Sequence, residues 1–410
     1  MKRFIIHSDL NSFYASVECL KKPWLKSIPL AVAGDIEQRH GIILAKNIPA
    51  TAFGIKTGEP IWSAKQKCPD LVTVLPNFDD YIAISQNVRK IYEEYSDRVE
   101  AFGIDECWID ISYIVTNYFD AKLIADEIRE KIKNQIGVTA SCGVSFNKVF
   151  AKLASDLKKP DATTVIDEEN FRDTVWKLPA DSLLYVGRST QKALSRLNIR
   201  TIGDVANTDI KAMEFMFGKN GIALWNNANG LDTSPVSIKS IHSTIKSIGN
   251  SITTSHDITE EEEIKIVFFA LCEAVSARLR RLDLICNTVQ IYVRDSNFNT
   301  YERQAGLSFP NRTVSSLFNT SFDLYRANGF TECSVRSLGV RAVNLNDSEY
   351  EQISIDPISN QVKKHEDLDT ATDKIRYQFG SSSLKRGIML NDSILSGNDI
   401  RQEKCSFTKI

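Results

Sequence analysis

Residues 103–111 read Gly103-Ile104-Asp105-Glu106-Cys107-Trp108-Ile109-Asp110-Ile111. The apolar residues from 107 to 111 predict a short buried strand, and residues 99–102 before the glycine predict another. The four residues Gly103 to Glu106 then form a tight turn between the two strands. Two adjacent carboxylates, those of Asp105 and Glu106, are therefore expected at the tip of a hairpin.

Strands and helices flank this hairpin in a specific order. With the insertion at residues 10–76 set aside, the predicted order is β-α-β-β-α-β, which is the split ferredoxin-like unit. The predicted elements are a strand over residues 4–8 that ends at Asp9, an apolar-faced helix from Asp79 or Asp80, the hairpin, a helix capped by Asp120 and ended by Gly137, and a strand over residues 138–144.

This order has a geometric consequence for the acidic residues. The first two strands of such a unit are parallel and the third lies antiparallel between them, so the hairpin tip lies beside the C-terminal end of the first strand. Asp9, Asp105 and Glu106 are therefore expected to converge, and hard oxygen ligands of this kind suit Mg²⁺. Alternatively, Asp9 merely ends a strand and Asp105-Glu106 merely forms a polar turn. The predicted convergence of all three favours a metal site.

The segment after the fourth strand carries a row of lysines. Ser145 is expected to open a helix that has one apolar face and ends before Pro160. Lys148, Lys152 and Lys159 fall on the opposite side if the helix continues that far. Such a stripe is usually a solvated face, but beside a metal site a lysine is well placed to bind phosphate.

The same element order returns towards the C-terminus. Between the two units, residues 167–233 are expected to be wholly helical, and the tail after Asn346 is polar. The predicted elements of the second unit are a strand over residues 247–254, a helix from a Thr259–Glu262 capping box to about residue 282, strands over 288–293 and 300–307, a helix over 314–326 and a strand over 335–343, with a short helical pattern in the tail over 368–379.

Composition sets wider limits on the class of protein. A chain of 410 residues with 42% hydrophobic and 25% charged residues is typical of a globular protein of several domains. The net charge of −2 means that any surface for nucleic acid must be local. No signal peptide or membrane span is expected. Eight cysteines without a Cys-x-x-Cys pair indicate reduced thiols and a cytoplasmic protein.

Four segments together resemble, in order and spacing, the motifs of Y-family DNA polymerases of the DinB and UmuC type. The resemblance extends over roughly residues 1–345. The segments are His7-Ser8-Asp9-Leu10-Asn11-Ser12-Phe13-Tyr14-Ala15, the hairpin Gly103 to Ile111, Gly143-Val144-Ser145-Phe146-Asn147-Lys148-Val149-Phe150-Ala151-Lys152-Leu153-Ala154-Ser155-Asp156, and Lys158-Lys159-Pro160.

The resemblance implies an α+β multidomain protein with a ferredoxin-like catalytic domain. The implied domains are a palm over residues 1–10 and 77–166, fingers inserted over 11–76, a helix-hairpin-helix thumb over 167–233, a second βαββαβ domain called the little finger over 241–346 and a polar tail over 347–410.

The resemblance also implies chemical roles. The carboxylates of Asp9, Asp105 and Glu106 and the carbonyl of Leu10 would bind two Mg²⁺ ions, for which Mn²⁺ can substitute. Tyr14 would be the steric gate that excludes a ribose 2′-hydroxyl, Phe13 would lie behind the incoming sugar, and Lys159 would bind the triphosphate. Without the surrounding motif, Phe13 and Tyr14 would be interpreted as ordinary core residues. The implied activity is addition of deoxynucleotides to a primer on template DNA, with low fidelity and past damaged bases, by a monomer.

Candidate DNA contacts lie in the thumb and the little finger. Gly187, Arg188 and Ser189 resemble the turn of a helix-hairpin-helix, which offers backbone N–H groups to a phosphate. Taken alone, such a turn is more often a simple connector. In the second unit, local positive charge comes from several arginines, among them Arg294, Arg336 and Arg341.

Two segments depart from the family pattern. Where the family usually has Tyr-Glu-Ala-Arg, with the Tyr and Arg on the triphosphate, this chain has Ile48-Pro49-Ala50-Thr51. Thr51 cannot make a bidentate phosphate contact, so weaker triphosphate binding is expected. Gln352-Ile353-Ser354-Ile355-Asp356 has the register of a sliding-clamp peptide but lacks its terminal aromatic residue. Chance similarity explains that segment equally well.

Two other functions are compatible with parts of the sequence. A nucleotide cyclase built on a palm would account for the carboxylates, but not for the steric-gate segment, the thumb and the second unit. A DNA-bound repair scaffold with weak or no polymerase activity is favoured by Ile48 and Thr51, whereas the three carboxylates, Tyr14 and Lys159 argue for an active enzyme.

Overall fold

A computed structural model of the chain describes residues 2–35, 39, 41–238, 245–347, 357–380 and 383–391. The described residues divide into two units, one formed by residues 2–34 and 42–238 and the other containing residues 245–347, 357–380 and 383–391. In chain order the elements of the first unit are β1 Ile5–Leu10, α1 Phe13–Lys21, β2 Leu30–Ala33, β3 Ile43–Lys46, α2 Ile48–Ala52, α3 Ile61–Lys67, β4 Val72–Val74, α4 Phe78–Glu93, β5 Val99–Ala101, β6 Glu106–Asp110, α5 Tyr118–Lys131, β7 Ala140–Ser145, α6 Lys148–Leu157, β8 Thr163–Ile166, α7 Phe171–Val175, α8 Arg188–Arg196, α9 Ile202–Asn207, α10 Ile210–Phe217 and α11 Lys219–Ala228.

The first unit is built on a five-stranded sheet with the order β5-β6-β1-β7-β8. β1 lies at its centre and is antiparallel to both β6 and β7, as the split ferredoxin-like order predicted. Every residue of β1 and β7 is buried, so both strands are covered on both faces, and α4, α5 and α6 supply apolar residues to the cores beside them. The predicted fold class is confirmed for this unit.

Three predicted helix starts were wrong by a few residues, and each true start has an asparagine at the N-cap. The Asn117 side chain accepts from the Asp120 N–H, so Asp120 lies in the first turn of α5 instead of capping it. Asn77 likewise precedes α4. Asn147 accepts from the Phe150 N–H at 2.7 Å, and Ser145 is the last residue of β7. Asparagine caps a helix as well as aspartate or serine does, so composition alone did not separate the candidates.

Gly143 in β7 allows α6 to lie directly on the sheet. A Cβ atom at this position would overlap the backbone of Ala151 and Ser155 and lie 2.7 Å from the Cβ of Ala154. We therefore expect Gly143→Ala to destabilise the first unit by about 3 kcal/mol, measured by chemical denaturation. Gly306→Ala is the control, because its methyl group would meet only the Asn287 carbonyl oxygen, at 3.9 Å. Equal stability of the two variants would contradict the close approach.

The insertion after α1 forms its own small sheet in the order β3-β2-β4. The buried side chain of Asn47 organises the chain around it. Its Oδ1 accepts from the N–H groups of Leu30 and Ala50, and its Nδ2 donates to the carbonyls of Leu25 and Ile28. All four hydrogen-bonding positions of the amide are thus used to fix the start of α2.

The helices α7 to α11 follow β8, in agreement with the helical interpretation of this stretch. They share a core with α6, built from residues such as Phe150, Leu194, Ile202 and Met213. The first unit therefore continues from the sheet into the helical segment through a common apolar interior.

The second unit contains the predicted βαββαβ order but pairs its strands differently. In its four-stranded sheet the order is third, second, fourth and first strand, so the last strand lies between the first and second ones. In the first unit, by contrast, β1 lies between the third and fourth strands of the βαββαβ set. The capping box predicted at Thr259 and Glu262 was wrong. The first strand of this unit continues to Ile258, and the helix that follows starts after Glu260 without a side-chain cap. The elements are β9 Ser247–Ile258, α12 Glu261–Arg281, β10 Leu284–Asp295, β11 Thr300–Asn311, α13 Val314–Ala327, β12 Val335–Asp347 and α14 Pro357–Phe379.

Part of the chain predicted as a polar tail is a docked helix. α14 spans 23 residues instead of the short stretch expected, and its charges pair with residues of α12. Arg280 bonds Asp373 at 2.6 Å, and Arg376 and the following Arg386 both reach Glu273. Glu273 is 4% exposed, so this is a buried ionic contact and not a surface pair.

Candidate active site

The sheet brings the three predicted carboxylates to one place. Asp9 of β1 is directly opposite Glu106 of β6 in the antiparallel register. The hairpin tip is fastened to the end of β1, because the N–H of Leu10 donates to the Asp105 carbonyl at 3.0 Å. Asp9 is buried, and Asp105 and Glu106 are half-buried. The convergence inferred from element order is therefore present in the structure.

Two lysine side chains form ion pairs with the carboxylates. Lys159 Nζ lies 2.8 Å from Asp9 Oδ2, and Lys152 pairs with Glu106. The third predicted lysine, Lys148, instead bonds Glu100 at 2.6 Å. α6 ends at Leu157, so Lys159 reaches the site from the segment beyond the helix and not from a helical stripe.

The electrostatics of the three carboxyl groups differ. Burial and the charges of Asp9 and Glu106 raise the pKa of Asp105 to about 6. Burial alone would also raise the pKa of Glu106, but hydrogen bonds with His7 and Lys152 outweigh it and hold that pKa at about 2. Burial raises the pKa of Asp9 although Lys159 opposes it. Three carboxyl groups are thus paired with only two lysines, which leaves the site with an excess of negative charge.

The donor set fits divalent cations of the Mg²⁺ type. Three carboxylates at one sheet edge supply hard oxygen ligands, and burial, together with the charges of Asp9 and Glu106, makes the charged form of Asp105 unfavourable unless a cation is near. In the conformation seen here, no three acidic, histidine or cysteine side chains among the described residues surround a common point closely enough to share an ion. Cation binding would require Lys152 and Lys159 to release Glu106 and Asp9.

Asn11 is a site residue that the sequence interpretation missed. Its buried side chain donates to the Ser141 hydroxyl at 2.8 Å and accepts from the Asp161 N–H at 2.9 Å. The segment that carries Lys159 is thereby tied to the end of β1. A polar residue two positions after Asp9 was the available signal, but its partners lie far away in the chain.

The two aromatic residues after β1 lie at the start of α1. Phe13 is buried, and Tyr14 is half-buried and stacks on Tyr81 of α4. Ser12, just before them, has φ 48° and ψ 43°, a left-handed conformation that turns the chain sharply from the strand into the helix. This turn therefore places Phe13 and Tyr14 in the helix that directly follows the strand carrying Asp9.

The two residues that depart from the family pattern lie in α2. Ile48 is 64% exposed, so its side chain is not part of the apolar core. The Thr51 hydroxyl donates to the Asn47 carbonyl at 3.0 Å, a local bond within the first turn. Neither side chain carries a charge that could bind phosphate.

The predicted DNA contacts of the helical segment lie at a helix start. Gly187 is the N-cap of α8, and Arg188 and Ser189 are its first two residues. All three are exposed, whereas Val186 and Leu194 hold the helix against the core. The first-turn N–H groups are thus directed at the surface.

The arginines of the second unit have different environments. Arg294 and Arg341 line a groove of about 660 Å³ on the sheet, together with polar side chains such as Ser251, Thr253 and Ser337. Arg336 lies over the ring of Phe298 at 4.8 Å. Arg280, by contrast, is engaged with α14 and adds nothing to a DNA surface.

Comparison with known proteins agrees with this fold. Residues 8–156 match the impB/mucB/samB family, and residues 245–355 match its C-terminal domain. The chain is 48% identical over 393 residues to the DNA polymerase IV of Acetivibrio thermocellus, which covers 96% of this chain and 98% of that protein. It is 35% identical over 390 residues to DNA polymerase IV 1 of Bacillus subtilis, covering 95% and 93%.

A solved structure shows the same fold. The Y-family DNA polymerase chimera Dbh-Dpo4(243-245)-Dbh matches with a TM-score of 0.75 and 22% identity, over 84% of this chain and 99% of that one. The chain thus belongs to the impB/mucB/samB family, the Y-family DNA polymerases. It is a DNA-directed DNA polymerase. None of the described helices is both long and apolar enough to span a bilayer.

Proposed function

We propose that the chain extends a primer on template DNA with deoxynucleoside triphosphates, at a site formed by Asp9, Asp105 and Glu106. The observation that carries the proposal is the register of β1 and β6, which places Asp9 opposite Glu106. Full-length similarity to proteins named DNA polymerase IV supports the same activity. Low-fidelity synthesis past damaged template, and hence a role in DNA repair, belongs to the same proposal.

Asp9, Asp105, Glu106 and the carbonyl of Leu10 would hold two divalent ions, with Mg²⁺ as the expected metal and Mn²⁺ as a substitute. Such ions, when bound, lower the pKa of the primer hydroxyl and neutralise the leaving pyrophosphate. His7 orients one of these ligands, because its Nε2 lies 3.2 Å from Glu106 Oε2 and its Nδ1 lies 2.8 Å from the Ser155 hydroxyl.

The remaining site residues would bind the nucleotide. Lys159, which pairs with Asp9, would bind a triphosphate oxygen once released from that carboxylate. Tyr14 would block a ribose 2′-hydroxyl with its ring, and Phe13 would support the sugar from behind. Their position beside β1 supports these assignments.

DNA would be bound by two surfaces that read little sequence. The first-turn N–H groups at Gly187, Arg188 and Ser189 are suited to a backbone phosphate. The groove that contains Arg294 and Arg341 combines positive charge with hydroxyl and amide groups, as phosphate contacts require. Arg336 is assigned to the same surface.

The domains implied by the resemblance remain our proposal. The palm would be residues 1–10 and 77–166, the fingers 11–76, the thumb 167–233 and the little finger 241–346. The sheet β5-β6-β1-β7-β8 and the separate small sheet of the insertion support the first two boundaries. The tail would begin at 347, although α14 is joined to the second unit by ion pairs.

Primer extension on a DNA template with Mg²⁺ tests the proposal. We expect elongation by the wild type and none after chelation of the metal. A wild type that binds primer-template DNA but does not elongate it would favour the repair scaffold, and cyclic product from nucleotide alone would favour a cyclase.

Replacing two residues of α2 should strengthen nucleotide binding. Ile48→Tyr with Thr51→Arg would add a hydroxyl and a guanidinium on an exposed helix face, where bidentate phosphate contact is possible. We expect the KM for a deoxynucleotide to fall about tenfold with little change in kcat. Phe53→Tyr with Lys56→Arg, exposed changes in the following turn, is the control. A wild-type KM as low as that of family members with the usual Tyr and Arg would contradict the hypothesis.

Sliding-clamp binding stays a prediction, because Gln352 to Asp356 lie outside the described residues. A pull-down with clamp that compares the wild type with Ile355→Ala tests it. Equal recovery of both chains would count against this segment as the clamp peptide.

A further inference from the structure

Two tyrosine rings are stacked beside the site. Tyr14 of α1 and Tyr81 of α4 have ring centroids 4.4 Å apart and planes inclined by 12°. Phe78, one turn before Tyr81, meets both rings edge-on, at 5.9 Å and 5.8 Å. Tyr81 is fully buried, so its ring cannot shift unless the interface between the two helices opens.

A buried carboxylate holds the second ring. The Tyr81 hydroxyl donates to Glu18 Oε1 at 2.7 Å, and Glu18 is only 8% exposed. Glu18 follows Tyr14 by four residues on α1, so both side chains lie on the same face of that helix. Tyr81 therefore contacts Tyr14 through its ring and the next turn of the same helix through its hydroxyl.

Protonation favours this arrangement. Burial and the hydrogen bond to Glu18 both raise the pKa of Tyr81, so its hydroxyl stays protonated and remains a donor. The hydrogen bond to the Glu18 carboxylate is stronger than a neutral one, and it limits movement of the Tyr81 ring within its plane. The stacking contact limits movement of the Tyr14 ring away from the face of Tyr81. The two contacts together fix the orientation of the Tyr14 ring.

We infer that Tyr81 and Glu18 are positioning residues for sugar selection, holding the Tyr14 ring where it excludes ribonucleotides. The inference rests on the proposed role of Tyr14 as the steric gate. A ring that rejects one additional hydroxyl must be held to within about 0.5 Å by the residues around it. If these were ordinary core residues, their substitution would lower kcat/KM for deoxynucleotides and ribonucleotides equally. If they position the gate, their substitution changes the ratio of the two kcat/KM values.

The test is the ratio of kcat/KM for a deoxynucleotide to that for the matching ribonucleotide in primer extension. We expect Glu18→Ala and Tyr81→Phe each to lower this ratio about tenfold, equivalent to about 1.4 kcal/mol of discrimination. Glu18→Gln, which keeps an acceptor oxygen, should restore most of it. Tyr95→Phe is the matched control, because Tyr95 makes an exposed 2.7 Å bond to Glu127 in the same unit, and it should leave the ratio unchanged.

Tyr14→Val separates the two levels of the proposal. If the ratio fell strongly in Tyr14→Val but was unchanged in Glu18→Ala and Tyr81→Phe, the inference would be wrong and the proposed role of Tyr14 would still hold. An unchanged ratio in Tyr14→Val as well would overturn the gate and the inference together. Thermal melts accompany each variant, and if Glu18→Ala does not fold, Tyr81→Phe, which retains the buried ring, decides the outcome.

Discussion

Asp105→Asn is expected to reduce primer extension by at least about 10³-fold while the chain remains folded. Asparagine has nearly the same shape as aspartate but no negative charge, and Asp105 lies where burial and two neighbouring carboxylates already raise its pKa to about 6. Loss of this charge removes one of the ligands that would gather divalent ions, while the fold no longer buries a charge beside two other carboxylates. Single-turnover extension with Mg²⁺, together with a thermal melt, measures both effects.

The matched control for this prediction is Asp97→Asn, which changes an exposed aspartate of the same unit. Extension by that variant should match the wild type. If Asp105→Asn extended primers at the wild-type rate in the same Mg²⁺ buffer, the acidic cluster could not be the catalytic centre. The proposal for Asp9 and Glu106 would then fail with it.

Glu273→Gln is expected to destabilise the second unit by about 3 kcal/mol and to release α14. The Glu273 carboxylate is 4% exposed and accepts bonds from Arg376 at 3.2 Å and Arg386 at 2.9 Å. A neutral amide would leave the half-buried Arg376 guanidinium without this counter-charge and Arg386 with the carboxylate of Asp369 alone. Hydrogen exchange across α12 and α14 measures the loss of protection.

Glu262→Gln on the same helix is the control for that measurement. Its side chain is 67% exposed and pairs with Lys265, so its loss should change stability by no more than about 0.5 kcal/mol. Equal protection in the two variants would mean that α14 is held by apolar contacts and not by the buried ions.

The sheet of the first unit and the convergence of its carboxylates could be predicted because hydrophobic periodicity indicates the order of the elements. That order in turn determines which strand ends meet. Asp9 and Glu106 are an example, since their pairing needs only the topology. The strand order of the second unit could not be predicted in this way. Alternation along a strand shows which face is buried, but it does not show which strand lies next to it.

Polar contacts between residues far apart in the chain could not be predicted from the sequence either. Asn11 looked like one polar residue among several, and its partners Ser141 and Asp161 become neighbours only when β7 and the segment after α6 are in place. The stack of Tyr81 on Tyr14 has the same origin. Residues 357–379 were expected to be a polar tail with only a short helical pattern over 368–379, yet they form one long helix whose Asp373 pairs with Arg280 and whose Arg376 pairs with the buried Glu273 of α12.

The amide of Asn47 has one more consequence. It satisfies its four hydrogen bonds with the backbone of residues 25, 28, 30 and 50, so this amide holds the backbone at the start of α2, where Ile48 is largely exposed and Thr51 adds one local bond to the Asn47 carbonyl. The proposed effect of positions 48 and 51 on nucleotide binding would then be separable from the fold, because two substitutions there would leave the hydrogen bonds of the Asn47 amide intact.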